Sequence, residues 1–378
     1  SLLPLRKLTL GSVTERADTY LRVLQDGEEA DRAYHATRNA VGARADLDAR
    51  SRLFRLGLNA EDAQRRVDDM LADLQAWMWD VIAGPVLTEL GLDRAPPGPS
   101  STWPRLWWCP TGPLTVLPLH SAGHHDLANG ASRAVIDRVV SSYTPTLRAL
   151  REARSAQNGS TISDPHPPPA HSLTKSTADE DPDRLLLVEV EDLPGQAPLD
   201  GSRVHAVLTD RIPRKRRTVL AGLNARRMPV QAAMARHRWA HFSCHGDQDL
   251  HDPSRGGLLL SDGMLTIADV SSGRPFHSDF AGLSACKTAV GGIDLPDEAI
   301  TLAAALHYSG YRHVVATMWS VDNDISAQVF AEIYTEIAIG GRIEPDRAPA
   351  ALHDAVRRLR SAHPDWPHRW TPFSHTGP

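Results

Sequence analysis

Two short blocks of the chain carry side chains able to do nucleophilic chemistry. Phe242-Ser243-Cys244-His245-Gly246 sets a histidine just past an apolar run, with a glycine behind it. Leu283-Ser284-Ala285-Cys286-Lys287-Thr288 sets a cysteine just past another. A thiol attacks a carbonyl as its thiolate, yet it titrates near ~8.5, so a histidine within reach must move its proton at neutral pH. The oxyanion that forms needs preorganised N–H donors. Gly246, lacking a side chain, lets a substrate backbone approach and can lend its N–H. The chemistry is acyl transfer, with hydrolysis of a peptide bond the leading case. Spacing by itself leaves a second reading open. Cysteine is among the most buried residue types, and a chain with 18 histidines sets one near a cysteine easily.

The elements that must position these residues are legible from pattern. Strands are expected at 185–190, 217–220, 239–243, 280–284 and 313–317. Helices are expected at 229–237, 297–309, 324–338 and 349–361. Strands alternating with helices predict an α/β fold with a mainly parallel sheet. Ligands of such sheets sit beyond the carboxyl ends of strands, where His245 and Cys286 both fall. Asp262-Gly263 between apolar pairs predicts a hairpin. Earlier, 105–109 and 114–117 read as two strands joined by Pro110-Thr111-Gly112-Pro113, a second hairpin. Residues 135–143 are β-prone, and 145–153 form a short helix. Residues 12–40, 46–56 and 60–90 read as helices, with Gly27 weakening the first. Residues 154–183 are rich in Ser, Pro, Asp and His and predict a mobile insertion.

Several blocks in order resemble the CHAT family, the caspase-like domain associated with tetratricopeptide repeats. They are Trp107 to Leu114 with Leu117-Pro118-Leu119-His120, Ser141 to Leu147, His241 to Gly246, Leu283 to Thr288, Leu295 to Ala299, Val314 to Val321, and Trp370 to Phe373. Their wording is most similar to fungal members, although Val290-Gly291-Gly292-Ile293 differs slightly. The 41 positions from His245 to Cys286 are close to the ~50 between histidine and cysteine in caspases. The resemblance implies a caspase–separase type fold over 69–378 and a helical N-terminal segment, 1–68, as the tail of a tetratricopeptide-repeat array. It implies a cysteine endopeptidase with a His245–Cys286 dyad and an oxyanion site from the N–H groups of Gly246 and Cys286. In separase-like relatives an acidic residue after the Trp319-Ser320-Val321 block selects a basic P1 residue. Asp322 matches that position and implies cleavage after Arg or Lys, in signalling or regulated cell death. Such a carboxylate would act most strongly if buried. Asp322 and Asp324 are also explained as the opening of a helix, as are Asp297 and Glu298.

The remaining features narrow the class. The 378 residues are 41% hydrophobic and 23% charged, with net charge −5. That composition suits a globular protein and argues against a nucleic-acid partner. No apolar run reaches the ~18–20 residues that span a bilayer, so no membrane partner is expected. Three cysteines, Cys109, Cys244 and Cys286, suit a reducing, cytoplasmic setting. No signal peptide is visible, and a start at Ser1 suggests a fragment of a longer chain. Cys244 should face away from His245, into the core. The basic run Arg211 to Arg217 reads as a solvated loop. His124-His125-Asp126 lacks partners at zinc-like spacing, so neither metal nor cofactor is expected. The expected partners are a protein substrate and an upstream repeat region or activating protein. Two other functions stay open on these residues: a catalytically silent signalling scaffold, and a hydrolase of non-peptide acyl substrates.

Overall fold

The structure, a computed structural model, describes residues 2–41, 46–125, 133–157, 183–193, 198–247, 255–272, 278–284 and 301–378. Two long helices come first, α1 (Leu10–Ala40) and α2 (Leu47–Met78). Thr9 and Ser12 cap α1 reciprocally, each side chain taking the other's backbone N–H. Gly27 does not break α1. A Cβ there would stand 2.9 Å from Val67 Cγ2, so the glycine is the place where α2 packs closest. The two helices expected over 46–90 are one helix to Met78, carried through a wide π turn at Trp79–Ala83 into α3 (Gly84–Glu89). The expected division between residues 68 and 69 falls inside α2. No helix among the described residues is long and apolar enough to cross a membrane.

Next come β1 (Arg105–Trp108), a small ribbon of β2 (Gly123–His124) and β3 (Arg133–Ala134), β4 (Val140–Tyr143) and α4 (Leu147–Gln157). Then follow β5 (Leu185–Glu189), α5 (Ser202–Arg211), β6 (Arg217–Ala221), α6 (Arg227–Met234) and β7 (Trp239–Ser243). A ribbon of β8 (His245–Asp247), β9 (Gly257–Leu260) and β10 (Gly263–Thr266) leads to α7 (Ile267–Ser272) and β11 (Ser278–Ser284). The chain closes with α8 (Leu302–Tyr308), β12 (Tyr311–Thr317), α9 (Asn323–Ile337), the ribbon β13 (Ala338–Ile339) and β14 (Arg342–Ile343), α10 (Ala348–Ala362), α11 (Pro367–Trp370) and β15 (Phe373–Thr376).

Eight strands make one sheet in the order β1-β4-β15-β12-β11-β7-β5-β6. Neighbours run parallel except β12 and β15. Every residue of β5 and β7 is buried, as a sheet covered on both faces requires. Leu185, Leu187, Trp239 and Phe280 pack under α5, α9 and α10. Leu186, Ala240, Phe242 and Leu283 pack under α6, α7 and α8. The first helices bury their apolar faces against Trp108, Met318 and Trp319. The result is the expected α/β architecture, with a helical segment in front.

Three further expectations need correction. Residues 114–117 are no strand: Gly112 takes φ 58° and Pro113 opens a 3-10 turn over Gly112–Val116. β1 finds its partner in β4 instead, in parallel. Both ends of the expected insertion, 154–183, belong to the fold. Helix α4 runs to Gln157, and the Asp183 carboxylate is buried against Arg238 at 2.9 Å and Arg342 at 2.7 Å. Residues 158–182 lie outside the described residues. The basic run is not simply solvated. Arg217 Nη1 donates to the carbonyls of Thr209 at 2.5 Å and Ile212 at 2.7 Å, and Arg211 Nη1 to that of Thr335 at 3.1 Å. These close helix carboxyl ends, where cations are favoured.

His241 and His353 are buried among side chains, and burial pushes their pKa values down to about 3 and about 4. Between those values and ~6.5 only the unfolded chain takes up the protons, so the folded state loses ground as pH falls below ~6.5. The free energy of unfolding should be level above that pH and drop below it by about 1.4 kcal/mol per pH unit for each such ring, and His120 and His125, held down to about 4 by burial, add to the fall. Urea melts from pH 8 to 5 measure this. A flat profile would mean that these rings accept protons in place.

Candidate active site

The two blocks singled out in the sequence end neighbouring strands. β7 and β11 are parallel and paired from Trp239↔Phe280 to Ser243↔Ser284. His245 follows two residues after Ser243, and position 286 two after Ser284. Cys286 itself lies outside the described residues, together with Lys287, Val290-Gly291-Gly292-Ile293, Asp297 and Glu298. His245 is half-buried at the start of β8, opposite Leu259, and Gly246 stands opposite Leu258. The β8–β9–β10 ribbon thus sets the direction in which the chain leaves β7. Cys244 turns the other way and is buried with Phe242 and Leu283.

These strand ends flank a reversal in strand order. The chain runs outward from β5 to β6, then returns to β7 on the far side of β5. A crevice beside such a reversal is where open α/β sheets bind ligands. At the end of β5 the Glu189 carboxylate is buried, and its Oε1 lies 2.7 Å from His205 Nδ1 of α5. Sequence reading passed over this pair. Its one signal was an acid at the end of the apolar run Leu185 to Val188.

Beneath the strand ends, α9 supplies a stripe of residues four apart: Ser326, Phe330 and Tyr334. Ser326 Oγ is 2.8 Å from Ser284 Oγ, at the last paired rung. The Phe330 ring meets the His241 ring edge-on at 5.3 Å. Tyr334 Oη is 3.0 Å from His241 Nδ1, both groups fully buried. Burial holds the imidazole neutral and keeps the phenol protonated, raised well above 10. The phenol therefore donates and Nδ1 accepts, which leaves the ring proton on Nε2, an atom without a hydrogen-bond partner among the described residues. His241 is thus a structural imidazole within β7, four residues before His245.

Asp322 occupies the N-cap position of α9, yet its side chain makes no capping bond. It lines a cavity of about 620 Å³ with Asp200, Asp324, Leu199, Ile325 and Arg369. Its carboxylate stands 3.8 Å from the Arg369 guanidinium, and its side chain is 62% exposed. The expected strong effect of a buried carboxylate thus loses its premise. His124 and His125 turn to separate partners, His124 Nε2 to Asp80 at 2.9 Å and His125 Nε2 to the Ser121 carbonyl at 2.8 Å.

Solved structures give the wider setting. The complex of the pro- and mature domains of Porphyromonas gingivalis RgpB is similar at a TM-score of 0.50 and 9% identity, over 79% of this chain and 69% of that one. The Arg specific cysteine proteinase gingipain R gives 0.39 and 11%, over 52% and 46%. The Saccharomyces cerevisiae separase–securin complex gives 0.45 and 9%, over 72% and 15%. The sheet order, the helices on both faces and the first of these likenesses define a caspase-like α/β fold. Residues 73–378 match the CHAT domain, and the chain belongs to that family. Among curated proteins none matches the sequence.

The floor of the site yields a stability test. A Cβ at Gly282 would stand 2.5 Å from Tyr334 Oη and 3.0 Å from His241 Nδ1. Gly282→Ala should destabilise the fold by about 1–3 kcal/mol, as overpacking does. Adding Tyr334→Phe removes the clashing oxygen, so the double variant should lose less than the two singles together by about 1 kcal/mol. Denaturant melts of the four proteins decide it, and strict additivity would mean that the clash is relieved elsewhere.

Proposed function

We propose that this chain is a cysteine endopeptidase acting on protein substrates. The observation that supports the reading is the in-register pairing of β7 with β11, whose last rung, Ser243↔Ser284, lies two residues before position 245 in one strand and two before position 286 in the other. In this mechanism Cys286 attacks the scissile carbonyl as thiolate. His245 takes the thiol proton, passes it to the leaving amine, and then helps water to hydrolyse the acyl-enzyme. The N–H groups of Gly246 and Cys286 hold the oxyanion. The reaction asks for no metal or cofactor. The peptidase domain is taken as 69–378, and residues 1–68 as a helical extension.

Asp322 is proposed to favour Arg or Lys at P1. An exposed carboxylate attracts a cation by only about 0.2–1 kcal/mol, so the preference is expected to be modest. An activating protein or an upstream repeat region is proposed to act through α1. That helix abuts the segment before Asp322: the Tyr20 ring packs edge-on against Trp319 at 6.0 Å, and Ser320 N donates to Glu28 Oε1 at 3.4 Å. A reducing, cytoplasmic setting suits the thiol nucleophile.

The experiment is cleavage-site mapping on a proteome-derived peptide library, with kcat/KM on a P1-varied fluorogenic series. Cys286→Ala and His245→Ala should each lower kcat/KM by at least about a thousandfold with circular dichroism unchanged. Cys244→Ala should retain most activity. Asp322→Ala should reduce kcat/KM for Arg and Lys peptides about fivefold and leave other peptides alone. Turnover that survives in the Cys286 variant removes the dyad. Hydrolysis of esters without peptides would make the chain an acyl hydrolase of another kind.

A further inference from the structure

The one antiparallel joint of the sheet is crossed by a line of hydrogen bonds remote from the strand ends of the site. Arg105 Nη2 on β1 donates to Ser142 Oγ on β4 at 2.6 Å. Ser142 Oγ is 2.8 Å from His375 Nδ1 on β15. His375 Nε2 is 3.1 Å from His313 Nδ1 on β12. His313 Nε2 is 3.0 Å from Asp346 Oδ1, in the turn before α10. Ser142, His313 and His375 are buried, while the Asp346 side chain is 55% exposed. The line therefore runs from the rim of the molecule through the joint to the outer strands.

The two ends set its direction. A guanidinium only donates, and a carboxylate only accepts. Ser142 accepts from Arg105 and gives its own proton to His375 Nδ1. His375 then carries its hydrogen on Nε2 and donates to His313 Nδ1. His313 likewise carries its hydrogen on Nε2 and donates to Asp346. Each bond has one donor and one acceptor, and both rings are neutral Nε2–H tautomers. One extra proton upsets the order. If it sits on His313 Nδ1, two N–H groups face each other across the 3.1 Å gap. If His375 then moves its hydrogen to Nδ1, Ser142 meets two donors and must turn its O–H elsewhere in a buried place.

We propose that the Arg105–Ser142–His375–His313–Asp346 relay is a proton-sensitive latch, which ties β15 to β12 while both imidazoles are neutral and releases when the pair takes up a proton. The surroundings are mixed in sign. Arg105, Arg312 beside His313 and His307 on α8 oppose a cation there, and Arg154 stacks on the same Trp107 ring as Arg105. Asp346 favours it, and Asp279 of β11 tempers Arg312 at 3.4 Å. Burial outweighs the rest and holds both histidines below their ordinary pKa. Release would reach beyond the joint. Gly377 N donates to the Tyr143 carbonyl, and Met318 N, just past β12, donates to that of Pro372, just before β15.

Two measurements on the full chain test the latch, and neither depends on peptidase activity. Long-range proton–nitrogen NMR with labelled histidine should show His313 and His375 as Nε2–H tautomers at pH 7.5. A ring found in the Nδ1–H form, or titrating near pH 6.5 with the native spectrum intact, overturns the proposal. Hydrogen exchange, corrected for its intrinsic pH dependence, should show protection of 311–317 and 373–376 falling about tenfold per pH unit below pH ~6. Peptides 185–189 and 217–221 report the fall shared by the whole fold, in which His241 and His353 take part. His375→Gln, with an amide that cannot titrate, should flatten the fall at 311–317 and 373–376 and leave that at 185–189 and 217–221 unchanged. Equal effects of the substitution on both strand groups sink the latch, and the tautomer measurement stands even where the Gln variant does not fold.

Discussion

Two side chains from different strands can act on one bond only if neither strand slips, and in the proposed mechanism that constraint falls on the pairing of β7 with β11. A one-residue shift would turn every side chain of a strand to the opposite face. The register is held from both sides. On one face Phe242 and Leu283 share the apolar layer with Cys244. On the other, the α9 stripe fastens Ser284 through Ser326 and His241 through Tyr334. The second fastening uses polar groups where Leu would pack as well. A buried hydrogen bond adds only about 0.5–1.5 kcal/mol net, but losing one partner leaves the other unsatisfied. Polar pairs in that position penalise wrong registers more than they stabilise the right one. The strand pair that carries the proposed chemistry is where such a penalty matters most.

The same reasoning extends to the rest of the sheet. Five parallel strands, β12-β11-β7-β5-β6, form one block, and β15 joins it to the oppositely running β4 and β1. The contact of β15 with β4 is a single paired position, Thr376↔Tyr143. A joint with so little ladder needs other ties, and the relay through Ser142, His375 and His313 supplies them. The N-terminal helices bind the same region from outside: Gln75 Nε2 donates to Thr371 Oγ1 at 2.8 Å, and Asp68 accepts from the backbone and ring of His368. The helices in front are therefore packed onto the segment that leads into β15, and α2 runs through the residue at which the family match begins.

What the sequence made legible was local. The run Trp239 to Ser243 was expected as a strand and is one, with all five residues buried. The Asp262-Gly263 hairpin was legible for the same kind of reason, a turn whose chemistry is written in two residues. The failures were tertiary. Residues 114–117 have strand-like composition, but β1 is paired with a segment more than thirty positions away, and Gly112 turns the chain aside. Gly27 read as a weak point of the helix because its partner, Val67, is far along the chain. The meeting of His313 with His375 spans 62 positions, and that of His241 with Tyr334 spans 93. No periodicity in one sequence reports such pairs. The exposure of Asp322 was equally hidden, since an acid that opens a helix reads alike whether solvent reaches it or not.

One side-chain type serves three ends here, and its surroundings decide which. His313 and His375 sit within the sheet and act as links whose hydrogen positions are set by Arg105 at one end and Asp346 at the other. His241 sits in the middle of β7 under α9, neutral to about pH 3 and bonded to a phenol. His245 stands four residues further along the same chain, past the last rung, and is half-buried. An imidazole that shuttles protons to a substrate needs contact with the outside and a backbone that does not drift. Position 241 has the second without the first. Position 245 has both, because the β8–β9 pairing takes hold of the chain as soon as β7 ends. On the proposed reading the structural histidine and the reactive one therefore differ by four residues along the chain: His241 lies within β7 under α9, and His245 lies past the last rung.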